Sequence, residues 1–525
     1  MIRRALGLVV AVALFAAEDG RRWWSHVSFL AGDELEGRNT GSEGFRKAAA
    51  YVAGEFERAG LKPAGAGGYY QPVKFRSRRI VEEGCRLALE RQGAIEPLTL
   101  GEEAFLSMRT EPPERLEAAI VFAGYGLTVP ELKYDDLEGL ELRGKVVLYL
   151  SGGPSSIPGP LRAHYQSAGE RWKFFDRAGV VGAMQIQNPR SMDIPWARAS
   201  LARFQPSMSL ADPALVEVAG PKLSVTVNPA HADKFLAGSG HSFGQILEMA
   251  AAGKPLPRFA VPARLVARAR FEAAEVECRN VAAILPGTDP GLKDQYVALS
   301  AHLDHVGVGR PINGDSIYNG AMDNAAGTAT LLEIAARLRE SKTKLRWSLL
   351  FVAVTGEEKG LLGSKYYAAH PTVQPQSMVA NLNVDMFLPL FPLKILTVMG
   401  LEESTLGERA RAVAESMGIR VQTDLEPDRN LFIRSDQYNF IRRGVPALAF
   451  KVGYEKGSPE EAVAKAWLRD RYHAPSDDLK QPVDVGAAAA FNELILKLAE
   501  AVANQPEGPQ WKAGSFFRKY NGAQP

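Results

Sequence analysis

Thiol chemistry has almost nothing to work with in this chain. Two cysteines, Cys85 and Cys278, stand far apart in 525 residues and form no CxxC pair. A thiolate metal site needs several clustered cysteines, so that class of centre is excluded. For the pair itself two readings stay open: one disulfide in an exported protein, or two buried free thiols. Long apolar runs are scarce as well. Residues 5–17 (ALGLVVAVALFAA) follow Arg3 and Arg4 and end sharply at Glu18 and Asp19. That run suits the core of a secretory signal and is short for a spanning helix. A cut after Ala17 would have Phe15, not a small residue, three positions before it, so an uncleaved N-terminal membrane anchor is the alternative. No other stretch approaches spanning length, and the remainder is expected to be soluble. Charge of one sign is also missing. The 62 Lys and Arg nearly balance the 60 Asp and Glu, for a net +2, and no basic block stands out. Composition therefore gives no case for nucleic-acid binding.

What is present is the composition of a globular protein, 46% hydrophobic and 23% charged, too long for one ordinary core. The N-terminal residues 23–60 read as helices broken by a Gly/Asn/Ser-rich turn at 37–42. From residue 114 to 275 short β-rich runs alternate with Gly and Pro turns, which marks a separate inserted domain. From 276 to 505 apolar strands alternate with helices. The expected fold is α/β, with a mostly parallel central sheet covered by helices on both faces. Residues 18–113 are assigned to the N-terminal part of that same domain, and 506–525 to a loose, Pro/Gly-rich tail.

In open α/β sheets ligands gather beyond the carboxyl ends of the strands. The strand at 296–300 runs into AHLDHVG, which offers His302 with Asp304 two residues on. A carboxylate there can take the proton of the other ring nitrogen and fix the imidazole. His305 breaks the alternation and is not expected to be a ligand. Asp323 precedes a helix; Asn324 is able to cap that helix and leave Asp323 free. The strand at 346–354 empties into TGEEKG, where Glu357 and Glu358 form an adjacent pair suited to one metal ligand and one general base, or else to a solvated helix start. Asp385 ends a strand among apolar neighbours, a setting that calls for a metal or a cap. His473 lies in RYHAPSDD, where Asp477 is placed to orient it. Two imidazoles and three carboxylates, with one carboxylate bridging, make up a two-metal set of N and O donors. That set suits zinc best.

Taken together, HxDH, NGxxDNxxGTA, GEExGLLGS, NLNVDMF, SDQYNF and YHAPSDD resemble the M28 family of zinc aminopeptidases. The resemblance covers 276–503, and more weakly 23–75. It implies peptide substrates and two zinc ions per chain. Asp323 would bridge them, with His302 and Asp385 completing one position and Glu358 and His473 the other. It implies Glu357 as the general base acting on a metal-bridged water, Asp304 as the support of His302, and Tyr472 as a stabiliser of the tetrahedral oxyanion. The SDQYNF segment, with Asp436 and Tyr438, is assigned to the substrate pocket. The insert resembles a protease-associated domain through FAGYGL, YDDLEG, GKVVL and RAGVVGAMQI, and supplies no metal ligand. Export to the periplasm or the medium follows from the N-terminal signal. The alternatives are a carboxypeptidase or dipeptidase, which needs a cation such as Arg429, Arg434, Arg442 or Arg443 for a terminal carboxylate, a one-metal glutaminyl cyclase, and a receptor-like protein that has lost ligands.

Overall fold

The computed structural model describes residues 20–429 and 431–522. Two compact units emerge. The first holds the described residues up to Lys74, Glu277–Leu425 and Leu431 onward; the second holds Phe75–Val276 with residues 426–429. The second unit thus starts at 75 rather than 114. The reason is strand pairing: Arg86–Arg91 pairs antiparallel with Arg258–Arg268, and Ala104–Leu106 with Leu223–Val227, so these N-terminal strands close the second unit's sheet. That sheet has eight strands. Its Arg115–Ala123, Val146–Leu150, Gly182–Ile186 and Leu223–Val227 strands are mutually parallel neighbours, and helices Gly159–Gln166 and Ala168–Arg177 accompany them.

The first unit carries the His, Asp and Glu motifs of the sequence on one mixed sheet. Eight of the sheet's ten strands, in chain order, are β1 (Tyr70–Ile80), β2 (Phe271–Leu285), β3 (Tyr296–His302), β4 (Ser348–Val354), β5 (Met378–Asn383), β6 (Ile395–Met399), β7 (Arg420–Gln422) and β8 (Ala447–Val452). They lie in the order β1-β2-β4-β3-β5-β8-β6-β7. The four central strands β4, β3, β5 and β8 are parallel, and β2 and β6 flank them antiparallel. All seven residues of β4 are buried, so both faces of this strand are covered. The helices are α1 (20–30), α2 (Glu43–Arg58), α3 (Ala326–Ser341), α4 (Leu362–Ala369), α5 (Leu406–Ser416), α6 (Pro459–Asp470) and α7 (Val485–Ala503). Leu331, Leu332, Ile334 and Ala335 of α3 are buried, as their helical spacing requires. Side-chain caps start several of these helices: Ser42 accepts from Phe45 N, Ser458 from Glu461 N and Asp484 from Ala487 N.

The C-terminal segment is not loose over its described part. Trp511 is buried and donates from its indole nitrogen to Gly444 O, and Phe517 is fully buried. Two large aromatic side chains outweigh the Pro/Gly content of the segment. Both cysteines are free and buried, Cys85 in the second unit and Cys278 in the first. The signal-like run 5–17 lies outside the described residues, among which no helix is long and apolar enough to cross a membrane.

Candidate metal centre

The centre forms where β3, β4 and β5 end. β3 delivers His302, which is almost wholly buried. Its Nδ1 lies 3.0 Å from the backbone carbonyl of Asp304, so a proton on Nδ1 leaves Nε2 with a free lone pair. That Nε2 sits 3.2 Å from Asp323 Oδ1 and 3.3 Å from Asp385 Oδ1. Asp304 therefore holds His302 through its main chain, not through the carboxylate expected to do so. The carboxylate has other partners: it accepts from Thr40 Oγ1 at 3.0 Å and from the backbone N–H of Glu357 at 3.1 Å. In this way it ties the end of β3 to the turn after β4.

Asp323 sits in a turn that Asp477 holds from outside. The Asp477 carboxylate accepts from Met322 N at 2.9 Å, from Asp323 N at 3.0 Å and from Gln481 Nε2 at 2.5 Å. Its own carbonyl accepts from Ala321 N. The expectation that Asp477 orients His473 is thus replaced: all the carboxylate's hydrogen bonds go to the Asp323 turn and to Gln481. Asn324 does what the sequence suggested. Its Oδ1 accepts from Gly327 N in the first turn of α3 and from Met386 N, and its Nδ2 donates to Val384 O. Asp323 is thereby left free of any capping role.

Glu357 and Glu358 occupy the turn between β4 and α4, where Gly360 N and Leu361 N both donate to Glu357 O. Glu358 Oε2 lies 3.1 Å from His473 Nε2, which is itself 3.2 Å from Asp323 Oδ2. His473 has a left-handed backbone, φ 51°, a conformation that non-glycine residues adopt at some cost and that gathers at functional sites. The ring of Tyr472 packs on it with centroids 4.0 Å apart. The two oxygens of Asp323 thus face two different imidazoles. Tetrahedral zinc with bonds of about 2.0 Å spaces its donors about 3.3 Å apart, and the four distances from the His302 and His473 imidazoles to Asp323, Asp385 and Glu358 run from 3.1 to 3.3 Å. The donor set fits zinc on this ground. Two groups of metal-competent side chains stand out among the described residues, His302–Asp323–Asp385 and His305–Asp323–Glu358, and both belong to the first unit.

His305 is the residue that sequence reading set aside. It is fully buried, with Nδ1 2.7 Å from Glu358 Oε1. The available signal was the second imidazole of HLDH itself. Asp436 and Tyr438, assigned above to the substrate pocket, are both buried. Their neighbours Ser435 and Gln437 accept from Asn383 Nδ2 at 3.0 and 2.8 Å, which braces the strand end leading to Asp385. Arg429, considered above for a substrate carboxylate, is already engaged by Asp193 and Glu426 at 2.8 and 2.7 Å.

The electrostatics are those of crowded buried charge. Burial disfavours the imidazolium of His473, but Glu358 and Asp323 outweigh it and push the group up to about 10. His302 is likewise raised against burial, by Glu357, Asp323 and Asp385. For Asp323, burial and Glu358 favour the proton, but the imidazoles of His302 and His473 beside its two oxygens prevail and depress it. Burial raises Glu357 well above the usual range, with Asp385, Glu358 and Asp436 adding and His302 opposing. Burial also lifts Asp436 to about 7. These directions fix a pH dependence. Below pH 10 the metal-free His473 carries a proton that a metal must displace, so metal affinity should rise with pH through neutrality. Zinc binding at pH 7 should release roughly two protons, one per imidazole. Titration calorimetry in two buffers of different ionisation heat reads that number; a value near zero would contradict the protonated metal-free site.

Comparison with known proteins places this geometry. Residues 280–499 match the model of peptidase family M28. Aminopeptidase Y of Saccharomyces cerevisiae is 30% identical over 230 residues, 43% of this chain and 39% of that protein. A probable leucine aminopeptidase 2 of Aspergillus fumigatus is 29% identical over 220 residues, 39% of this chain and 41% of its own. The chain thus spans about two fifths of the length of these curated relatives. Among solved structures, an aminopeptidase from Aneurinibacillus sp. strain AM-1 superposes with a TM-score of 0.58 at 19% identity, over 93% of this chain and 95% of that one. That likeness shows a shared fold across both units.

Proposed function

We propose, from the match of residues 280–499 to the model of peptidase family M28, that this chain is an exported zinc aminopeptidase holding two zinc ions. His302, Asp323 and Asp385 would hold one ion, and Asp323, Glu358 and His473 the other. The observation that carries the reading is the split of Asp323, whose Oδ1 and Oδ2 each lie 3.2 Å from a different imidazole nitrogen. A one-metal site would leave one of those carboxylate–imidazole clusters without a purpose. Zinc bound there supplies Lewis acidity toward the scissile carbonyl and brings the pKa of water to about 7.

The remaining work falls to the chain. Glu357 takes a proton from the attacking water and returns it to the leaving amine. Its raised proton affinity suits a group that must both accept and release. Asp304 holds the Glu357 backbone in register, and its carbonyl keeps His302 in the tautomer that frees Nε2. Tyr472, on the ring of His473, is assigned the oxyanion. Glu357, Asp385 and Asp436 lie near enough to act on one another electrostatically, and a cluster of carboxyl groups suits a protonated substrate N-terminus better than a terminal carboxylate, which favours the aminopeptidase polarity over a carboxypeptidase. The engagement of Arg429 by Asp193 and Glu426 points the same way. Asp436 and Tyr438 would shape the pocket from behind. The second unit is read as a protease-associated domain. Export rests on the signal-like run at 5–17.

The substrate end is tested with matched aminoacyl and N-acetyl-aminoacyl chromophores. Acetylation removes the amine's charge and should lower kcat/KM by at least about 100-fold. Equal cleavage of both, with loss on amidating the C-terminus, would overturn the choice of end.

A further inference from the structure

We propose that His305 is a third imidazole donor of this centre, binding the second zinc position through Nδ1. That inference rests on the two-metal reading above. His305 is wholly enclosed, and neither ring nitrogen has a hydrogen-bond partner. Leaving two buried ring nitrogens unmet costs several kcal/mol in total, so such a group calls for an explanation. Its Nδ1 is 2.7 Å from Glu358 Oε1 and 3.8 Å from Asp323 Oδ2. Both of these oxygens are themselves buried without a hydrogen-bond partner. A ring nitrogen this close to a carboxylate, yet not aligned for a hydrogen bond with it, is the arrangement of two donors aimed at a common third point. Glu358 is then flanked on both oxygens, by His305 Nδ1 on one and His473 Nε2 on the other.

The ring's placement is fixed from several sides. Its backbone N–H donates to Arg38 O, and His305 forms a bridge with Asn39. Gly320, with φ 63°, passes so near that a Cβ there would fall 2.5 Å from His305 Cγ. The rings of His305 and His473 meet edge to face at 5.8 Å. The consequence is an unequal pair of positions. The first has three protein donors (His302, Asp323, Asp385). The second has four (Asp323, Glu358, His473, His305) and should be the tighter one.

The test is spectroscopic and needs no turnover. In the cobalt-loaded full chain, each bound imidazole contributes one paramagnetically shifted, exchangeable ring N–H. The proposal expects three in the wild-type protein, from His302, His305 and His473, and two in His305→Gln. It also expects His305→Gln to hold its tighter zinc at least about 100-fold more weakly against a chelator, a loss at or beyond that of removing an outer partner of a ligand. Two shifted N–H signals in the wild type would overturn the proposal. So would a glutamine variant that keeps both zinc ions at wild-type affinity, because an amide can still donate to Glu358 but is a poor zinc ligand. Binding of a single metal by the wild type would instead sink the two-metal reading itself, and His473→Ala, run alongside, separates that case.

Discussion

Replacing Glu357 by Gln should lower kcat by about 10²–10⁴-fold while KM moves only a few-fold and both zinc ions stay bound. The factor is what a positioned proton carrier contributes. The amide keeps the shape and the hydrogen-bonding reach of the carboxylate, and it removes only the capacity to accept a proton. Glu357 is bound to its place through its backbone, whose N–H meets Asp304 Oδ1 and whose carbonyl accepts from Gly360 and Leu361. The substitution therefore leaves the turn intact. Steady-state kinetics with metal analysis on the same preparation give the answer. A variant that loses metal in step with activity would make Glu357 a ligand instead, and one that keeps most of its activity would leave the base unassigned.

The second large effect concerns stability. Arg38→Met should destabilise the first unit by at least about 3 kcal/mol and lower Tm by about 10 °C. Arg38 is fully buried and meets carbonyl oxygens rather than carboxylates. Nε donates to Leu303 O at 3.0 Å, Nη1 to Leu30 O and Asn319 O, and Nη2 to Gly320 O at 3.0 Å. One side chain thus joins α1, the end of β3 and the turn that presents Asp323. Methionine fills much of the volume but leaves the carbonyls of Leu30, Leu303 and Asn319 without this donor, each worth about 1–3 kcal/mol, while Gly320 O keeps the N–H of Ala325. Burial lowers the Arg38 pKa to about 10, against the pull of Asp477, Asp304, Asp323 and Glu358, so the group stays cationic at neutral pH. Its charge offsets part of the acidic cluster. Arg38→Lys should recover only part of the loss, since an ammonium cannot reach four divergent acceptors. A methionine variant that melts with the wild type would contradict this account.

The sequence made some of this plain and concealed the rest for physical reasons. β4 reads directly as a strand because all its positions are apolar or small, and the two glutamates at its exit stand out against it. The same holds for Asp385 after β5 and for Asn324 as the cap beside Asp323. Most partners of Asp304 and Asp477 could not be read, because they are backbone N–H groups and a hydroxyl on segments far away in the chain. Asp304 takes Thr40 and Glu357, and Asp477 takes Met322 and Asp323. Proximity in sequence suggested the neighbouring histidine in both cases, and tertiary contact decided otherwise. His305 was set aside by an alternation rule that stops applying once β3 ends at His302. The 75–113 segment was misassigned because its strands pair with strands far away in sequence. α6, by contrast, was legible and passed over: Ser458, Pro459 and Glu461 form a recognisable helix start.

The central claim is that one carboxylate, Asp323, joins two metal positions. Metal analysis of the purified chain and of Asp323→Ala, each equilibrated with zinc and dialysed against a mild chelator, tests it most directly. The account predicts two zinc ions per wild-type chain and close to none in the variant, because both positions lose a donor at once. A wild type with one zinc, or a variant that gives up only one of two, would contradict the bridge.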